Sequence, residues 1–268
     1  MMERRHNDRL IMERRSFVKA AGGILVSAGF WSCGDSGGPG VDDDTGMGVL
    51  PDIYGHGFDD GTAGQFTNGA GSSPIGNGWV LDSSTAATGS NSIRQDYPQR
   101  NSNLGVAFFY DLPSSRQAFY IRFAYRQASD WPNNDDMKVQ RVQASNKNGQ
   151  FGSFLIRGGS SNFWYFWDDL EPTTVLNPNV NLPAPTANEL RGEWHWYEIY
   201  RDISVDGQLV VKIWIDDVLY FDYVTNAGNQ GVTYRRLQFD GTVNSLSNAS
   251  SAWFDEVGIS SKKMGIPG

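Results

Sequence analysis

Hydrophobic and polar residues alternate in short runs between about residue 50 and residue 259. A period of two residues is typical of β-strands, because successive side chains of a strand point to opposite faces of the sheet. The longer period of an amphipathic helix does not persist beyond a turn or two in this stretch. The pattern predicts strands at 106–110, 119–126, 137–144, 154–157, 163–167, 194–201, 209–215, 218–224, 235–239 and 253–260, with weaker ones near 79–81 and 92–97.

A chain built from many short strands buries its apolar faces by packing two antiparallel sheets against each other. The sequence has no internal repeats, which argues against a propeller or a β-helix. We therefore predict one all-β domain at 51–262, a two-sheet antiparallel β-sandwich, followed by a short tail at 263–268.

The composition supports this fold class and excludes one class of partner. Of the 268 residues, 13% are aromatic and 31 are glycines, as expected for strands joined by tight turns. The net charge is -8, whereas nucleic-acid binding needs a basic surface. We therefore expect no nucleic-acid partner.

Residues 1–33 resemble a bacterial export signal. Arg14 and Arg15 stand in the stretch RRSFVK, which is similar to the twin-arginine motif, and Met12 is an alternative start. The apolar stretch that follows at 20–30 is too short to span a bilayer, which takes about 20 residues. These features predict export from a bacterial cell.

Cys33 is the single cysteine, so the chain cannot form an internal disulfide. Its position directly after the apolar stretch resembles a lipoprotein box, although Phe30 and Trp31 depart from the usual pattern. We predict lipidation at Cys33, with plain cleavage nearby as the alternative. Residues 34–50 are rich in Gly and Asp and would form a flexible tether, so the membrane is contacted only through the lipid, in the periplasm or at the cell surface.

Several motifs resemble the concanavalin A-like lectin/glucanase jelly rolls, in particular their laminin-G-like and polysaccharide-lyase-like members. The motifs are GEWHWYEIYRD at 192–202, DGQLVVKIWIDDVLYFD at 206–222, LQFDG at 237–241, AWFDEVGIS at 252–260 and FDDG at 58–61. The resemblance covers most of residues 55–260 and implies a jelly roll. That fold serves lectins, hydrolases, lyases and adhesion modules alike, so it leaves the function open.

Strand alternation places an unusual set of rings, charges and amides on the faces that are not apolar. A sugar ring stacks on an indole, its hydroxyls bond planar polar groups, and Arg binds carboxylated sugars through two parallel hydrogen bonds. In the family that the chain resembles, the outer face of one sheet is concave. We therefore predict a polysaccharide groove lined by Trp196, Glu198, Tyr200, Lys212, Trp214, Arg122, Arg126, Lys138 and Gln140. The same alternation leaves Arg236 and Gln238 outward.

Two alternatives to the groove stay open at this point. The same side chains could form stabilising cross-strand pairs on a convex, solvated sheet. A loop could also cover the face and turn it into a second core. Trp131 and Trp167 are further candidates for a groove rim, although the apolar run at 163–167 also fits a central strand covered on both faces.

The carboxylates do not fit a retaining glucanase of this fold, which needs two of them on one strand face. Glu193 and Glu198 are five residues apart and therefore point to opposite faces. A β-eliminating lyase needs a group that neutralises the uronate carboxylate and a base. The candidates Tyr200, Arg122, Gln140 and Lys138 have these residue types. His195 has the same strand phase as the core residue Tyr197, so it fits a packing role better than that of a base.

No cofactor is required by this chemistry, but calcium fits the two ends of the domain. Asp59, Asp60 and Asp255 offer loop-borne oxygen ligands, which calcium prefers, and their alternative role is to bond turn backbones. Together these features predict a monomeric exported protein that binds a polysaccharide, acidic sugars included. Cleavage of uronate-containing chains by β-elimination is its candidate activity. A non-catalytic structural or adhesion module of the cell envelope is the competing interpretation.

Overall fold

The computed structural model describes residues 48–99, 106–132, 136–144, 151–157, 163–168, 175–176, 185–205, 207–225, 232–243 and 246–267. The predictions for Arg14, Arg15 and Cys33 lie outside these residues. Within them, no helix has the length and apolar character needed to cross a membrane.

The described chain forms fourteen strands. They are β1 (Tyr54–His56), β2 (Val80–Asp82), β3 (Ser92–Tyr97), β4 (Phe108–Arg116), β5 (Ala118–Gln127), β6 (Asp136–Ala144), β7 (Phe151–Arg157), β8 (Phe163–Asp168), β9 (Val175–Leu176), β10 (His195–Asp202), β11 (Leu209–Ile215), β12 (Val218–Thr225), β13 (Tyr234–Val243) and β14 (Ser250–Ser260).

The strands build two antiparallel sheets. Sheet A has the order β12-β11-β10-β5-β14-β3-β2, with β1 also paired to β14, and sheet B has the order β4-β13-β6-β7-β8-β9. The predicted all-β, two-sheet antiparallel jelly roll is confirmed. β1 and β9, of three and two residues, were not predicted.

The hairpin between β11 and β12 has a two-residue loop made of Asp216 and Asp217. Both residues have positive φ angles, 52° and 62°, as a type I′ turn requires, and Asp is one of the few residue types that adopt them readily. The Asp216 carboxylate accepts a hydrogen bond from the Trp196 backbone N–H at 2.9 Å. The turn is thereby tied to the start of β10.

Aromatic rings fill the space between the sheets. Phe108 and Phe239 of sheet B stack at 4.9 Å, and Phe254 of sheet A packs edge-on against Phe108 at 5.4 Å. Trp79 and Phe123 extend this cluster, and both are fully buried. Burying a side chain of this kind stabilises the fold by about 1.5–3 kcal/mol.

A β-bulge interrupts β6 between Lys138 and Gln140. The extra residue shifts the alternation, so Gln140 lies opposite the core residue Phe239 and is itself fully buried. The prediction that Gln140 faces outward is therefore wrong. Beyond the bulge, Arg141 and Gln143 occupy the outer positions instead, on either side of the buried Val142.

Candidate functional site

Most of the predicted groove residues share the outer face of sheet A. Glu198 lies between Arg122 of β5 and Trp214 of β11 in the strand register, and Tyr200 lies between Tyr120 and Lys212. Trp196 and Arg126 occupy the same face further along β10 and β5. Lys138 and Gln140 belong to β6 in sheet B, so they do not share a surface with the others.

The centre of this face is covered by the end of the described chain. Residues 263–266, named here the C-terminal strap, lie across β10 and β5. The Glu198 carboxylate accepts hydrogen bonds from the backbone N–H groups of Met264 at 2.6 Å and Gly265 at 3.1 Å. Arg122 donates to the Gly265 carbonyl oxygen at 2.8 Å. The strap, predicted as part of a tail, is therefore packed against the domain.

The strap removes the charged centre of the face from solvent. Glu198 is 4% exposed and Arg122 is 5% exposed. Burial raises the pKa of the Glu198 carboxyl and lowers the pKa of the Arg122 guanidinium, because both charged forms lose hydration. The sequence left open whether this face forms a groove or is covered by another segment. The centre of the face is covered, so the predicted groove is not continuous.

Two groups of side chains flank the strap. On one side the Tyr120 ring lies tilted against Tyr200 at 4.5 Å, and Lys263 of the strap places its ammonium 5.2 Å from the centre of the Trp214 ring. On the other side the Arg126 guanidinium lies 5.4 Å from the Trp253 ring. These flanks are separate surfaces.

The predicted catalytic residues are not brought together. The Tyr200 hydroxyl donates to Asp202 at 2.8 Å, and burial together with this carboxylate raises the pKa of the phenol, which makes it a poor base at neutral pH. Arg122 lies under the strap. Because Gln140 and Lys138 are in the other sheet, the set Tyr200, Arg122, Gln140 and Lys138 is not an active site.

A different row of residues crosses sheet B, and Gln238 and Arg141 are its polar members with described side chains. Gln238 of β13 pairs in register with Phe109 on one side and with Arg141 on the other. The backbone pairing continues from Arg141 to Ser153 and then to Trp167, which was predicted as a rim residue. The row therefore runs across the sheet, perpendicular to the strands.

A second row lies beside the first one. Arg236 of β13 pairs in register with Gln143 on one side and with Asp111 on the other, and its guanidinium donates to both carboxylate oxygens of Asp111. Arg141, Gln143 and Arg236 are half-buried, while Gln238 is buried as part of the floor. Two guanidinium groups and two amides thus lie on neighbouring strands.

The sequence predicted two of the four polar residues of this surface. Alternation in 235–239 placed Arg236 and Gln238 outward, as the structure does. Arg141 and Gln143 were missed, because the bulge in β6 reverses the alternation after Val139, so that Val139 and Gln140 are both buried. The alternation of the sequence breaks at Arg141, and this break was the signal that could have indicated the bulge.

The predicted calcium ligands serve the loops of the domain. Asp59 accepts hydrogen bonds from the backbone N–H groups of Ser90 at 2.6 Å and Asn91 at 3.0 Å, while Asp60 accepts one from its neighbour Thr62. No group of three or more His, Cys, Asp or Glu side chains that could hold a metal occurs in the described part of the chain. Calcium binding stays a prediction.

Asp255 is the buried member of this set. It is fully buried beside a bulge of β14, and its carboxylate accepts hydrogen bonds from the backbone N–H groups of Ala87 and Glu256, both at 2.8 Å. Desolvation by burial raises the pKa of the Asp255 carboxyl to about 7 in spite of these bonds. The group is therefore a structural support for the loop before β3 that is sensitive to pH.

His195 and Trp131 lie at the end of the sandwich where β5 ends and β10 begins. The Nδ1 atom of His195 is 2.7 Å from Asp216, which orients the ring. Trp131 packs edge-on against Tyr97 at 5.3 Å and is 2% exposed, so it does not form an exposed rim platform. Trp131 belongs to the interior of that end, whereas His195 is half-buried.

Comparison with known proteins relates the fold to solved structures only. No family model and no curated protein matches the sequence. The endo-β-1,4-glucuronan lyase of the fungus Trichoderma reesei is 14% identical, with a TM-score of 0.52 over 79% of this chain and 91% of that one. The alginate lyase Aly36B is 10% identical, with a TM-score of 0.55 over 81% of this chain and 100% of that one. At these identities the likeness concerns the β-sandwich fold.

Proposed function

We propose that the protein binds a carboxylated polysaccharide across the outer face of sheet B. The observation that carries this proposal is the cross-sheet arrangement of Arg141, Gln238, Gln143 and Arg236 on neighbouring strands. The corresponding face of sheet A is less suitable, because the strap occupies its charged centre.

The residue types in these rows match an acidic sugar chain. A guanidinium binds a carboxylate through two parallel hydrogen bonds, and an amide can donate to one sugar hydroxyl while it accepts from another. The direction of the rows also fits, because a polymer that crosses β13 and β6 meets a polar side chain of each row on both strands. Arg236 holds Asp111 beside the rows, and Arg141 is the guanidinium next to Gln238 that we assign to the sugar carboxylate in this proposal.

The candidate reaction is β-elimination of a uronate-containing chain. In that reaction a base removes the proton from C5, the bond between C4 and the glycosidic oxygen breaks, and the leaving oxygen takes a proton. The product carries a double bond between C4 and C5. Arg141 and an amide neighbour would neutralise the uronate carboxylate, which makes the C5 proton easier to remove. The names of the structural neighbours, a glucuronan lyase and an alginate lyase, support the choice of substrate class.

Binding is tested by affinity electrophoresis in gels containing alginate or glucuronan. The Arg141→Ala variant is expected to lose about tenfold or more in affinity, since a hydrogen bond to a charged group contributes about 1.5–3 kcal/mol. Arg141→Lys keeps the positive charge but loses the planar guanidinium. Its affinity should lie between those of the wild type and Arg141→Ala. Lys212→Ala on sheet A is the matched control and should bind like the wild type. Equal retardation of all four proteins would refute the proposal.

Cleavage is tested separately, by following the ultraviolet absorbance of the unsaturated product with the same polymers. A rise that disappears in Arg141→Ala supports β-elimination at this face. Retardation without any rise in absorbance identifies a binding protein. If neither occurs, the adhesion or structural module becomes the better interpretation.

Export and anchoring are a further part of the proposed function. We infer that the twin-arginine-like stretch directs export and that Cys33 carries the lipid, on the sequence features of residues 1–33. Cys33→Ser should move the protein from the membrane fraction to the soluble fraction. Retention of this variant in membranes would argue against acylation. Size-exclusion chromatography with light scattering tests the proposed monomer.

A further inference from the structure

A row of arginine and tryptophan side chains crosses the outer face of sheet A beside the strap. Val80 of β2 pairs in register with Arg94 of β3, which pairs in turn with Trp253 of β14. Trp253 pairs on its other side with Arg126 of β5. All four residues are half-buried or exposed, so the strap leaves this flank of the sheet open.

The two guanidinium groups of this row have different surroundings. Arg94 is neutralised by the carboxylates of Asp82 and Asp96, both at 2.9 Å. Arg126 forms no ion pair with any carboxylate in the described part of the chain. The positive charge of Arg126 therefore stays available to an anion from outside the domain.

Two indole rings lie beside the Arg126 guanidinium. Its centre is 5.4 Å from the Trp253 ring, and it donates a hydrogen bond to the Thr85 hydroxyl oxygen at 2.7 Å. The same oxygen accepts a hydrogen bond from the indole N–H of Trp194 at 3.0 Å. The contacts hold the cation in place between half-buried aromatic side chains.

Exposed apolar side chains are concentrated on the same sheet. Five of them belong to β2, to β12 or to the connection between β10 and β11, and the other two belong to the segment 48–50. Leu50 is the most exposed of them, at 84%. The described side chains of sheet B include no such residue, so the two faces differ in their affinity for an apolar phase. The seven residues are Val49, Leu50, Val80, Leu81, Val205, Val218 and Val224.

The segment 48–50 leaves the domain on the outer side of sheet A. The backbone N–H of Val49 donates to the Met264 carbonyl oxygen of the strap at 2.6 Å, and the strap lies across the centre of this face. Cys33 precedes Gly48 by about 15 residues. A flexible tether of that length, as the sequence predicts, has a root-mean-square reach of about 20 Å. A lipid at Cys33 would therefore hold sheet A closer to the membrane than sheet B.

We propose that this flank of sheet A rests on the phospholipid headgroups of a membrane and that Arg126 binds a lipid phosphate. A guanidinium binds phosphate oxygens through parallel hydrogen bonds, and indole rings favour the headgroup region because they are apolar with one polar N–H. Exposed Leu and Val side chains add apolar area that enters the boundary between headgroups and acyl chains.

The inference rests on the proposed anchoring at Cys33 and gives the anchored domain an orientation. It extends the prediction from the sequence, in which only the lipid contacts the membrane. The polysaccharide rows proposed on sheet B then point away from the bilayer, where a polymer can reach them. The contact made by sheet A itself is weak and reversible, so washed membranes still release a protein that lacks the lipid.

The test is co-sedimentation of the full chain with vesicles of phosphatidylcholine and phosphatidylglycerol, in the Cys33→Ser background so that no acyl chain contributes. Residues 1–32 are the same in every variant, so differences between variants report the folded domain. Arg126→Gln and Leu50→Ser should each weaken vesicle binding about three- to tenfold, since one loses the cation at the lipid surface and the other loses apolar area. Arg235→Gln is the matched control, because it removes the same charge from an exposed position of β13 in sheet B. It should bind vesicles like the parent.

Two results would overturn the proposal: equal vesicle binding of the parent, Arg126→Gln and Leu50→Ser, or losses in Arg235→Gln as large as those in Arg126→Gln. Free glycerol phosphate at the phosphate concentration of the lipid should not displace the protein. Displacement would identify a soluble phosphate ester as the ligand and refute the membrane contact. Affinity electrophoresis with alginate keeps the proposals apart, because Arg126→Gln should be retarded like the wild type whereas Arg141→Ala should not.

Discussion

The outer faces of the two sheets have similar residue types but different surroundings. On sheet A, Glu198 and Arg122 lie beneath the strap and are almost completely buried. On sheet B, Arg141, Gln143 and Arg236 are half-buried and still reach solvent. The comparison teaches that charged and aromatic residues on a strand face do not by themselves identify a binding surface, because covering segments decide whether a ligand can reach them.

The two faces also use their charges differently. The Glu198 carboxylate and the Arg122 guanidinium satisfy backbone N–H and carbonyl groups of the strap, so they serve the fold. Charges buried in this way are strongly destabilising when a partner is removed. Charges on an accessible face cost little to remove but matter for binding, which gives each face its own experimental signature.

The largest expected effect comes from breaking the contact beneath the strap. Glu198→Ala leaves the Arg122 guanidinium buried and removes the acceptor of two strap N–H groups. We expect the free energy of unfolding to fall by about 3–6 kcal/mol, because two hydrogen bonds to a charged group are lost and each contributes about 1.5–3 kcal/mol. Urea denaturation measures this loss, and a variant as stable as the wild type would contradict the role given to the strap.

A second covered carboxylate on sheet A predicts a pH dependence of stability. The pKa of Asp255 is about 7 in the folded protein, above its ordinary value of 3.8, so the native state keeps a proton that the unfolded chain has lost. The contribution of Asp255 to stability is therefore largest below pH 4, falls as the pH rises to about 7, and levels off above it. Asp52 and Asp82, whose pKa values are lowered to about 2, act in the opposite direction only below about pH 4, so the fall between pH 4 and pH 7 reports Asp255. Thermal melts across this range measure the fall.

Asp255→Asn is the control for this pH dependence, because its side chain does not ionise. Its melting curve should be flatter between pH 4 and pH 7 than that of the wild type. Calcium provides a second check: an ion bound at Asp255 would stabilise the ionised carboxylate and reverse the fall. A melting temperature at pH 7.5 that drops with EDTA and recovers with calcium would support the calcium prediction, and no change would count against it.

The sharpest comparison of the two faces uses one arginine from each. Arg122→Ala should lower the free energy of unfolding and leave polysaccharide binding unchanged in the protein that remains folded. Arg141→Ala should reduce binding about tenfold and lower the free energy of unfolding by less than Arg122→Ala does. Denaturation and affinity electrophoresis on both variants test this crossed pattern. Loss of binding in Arg122→Ala, with binding kept in Arg141→Ala, would instead place the binding surface on sheet A.

The smallest effect is expected at the exposed edge of sheet A. Lys212 and Asp222 form an ion pair at 3.3 Å in which the Asp222 side chain is exposed and the Lys212 side chain is partly exposed. Lys212→Ala should cost about 0.2–1 kcal/mol or less, and the cost should vanish at high salt. A larger loss in stability would mean that this edge is covered in solution.

Much of the fold could be predicted from the sequence, because alternation and turn chemistry are local properties. The phases of β5, β10 and β11 follow from the residues themselves, and the structure places Arg122, Glu198 and Trp214 side by side as those phases require. The tight turn at Asp216 and Asp217 is local too. Local patterns also predicted the antiparallel sandwich, since many short alternating strands have few other ways to bury their apolar faces.

Only the tertiary structure decided which face is open. The strap reaches Glu198 from 66 residues away and Arg122 from 143 residues away, and no local pattern reports contacts of that range. The bulge in β6 likewise depends on pairing with a neighbouring strand, and it exchanges Gln140 for Arg141 on the outer face. Sequence determines what each strand offers on its two sides, whereas the packing of distant segments determines what a ligand can touch.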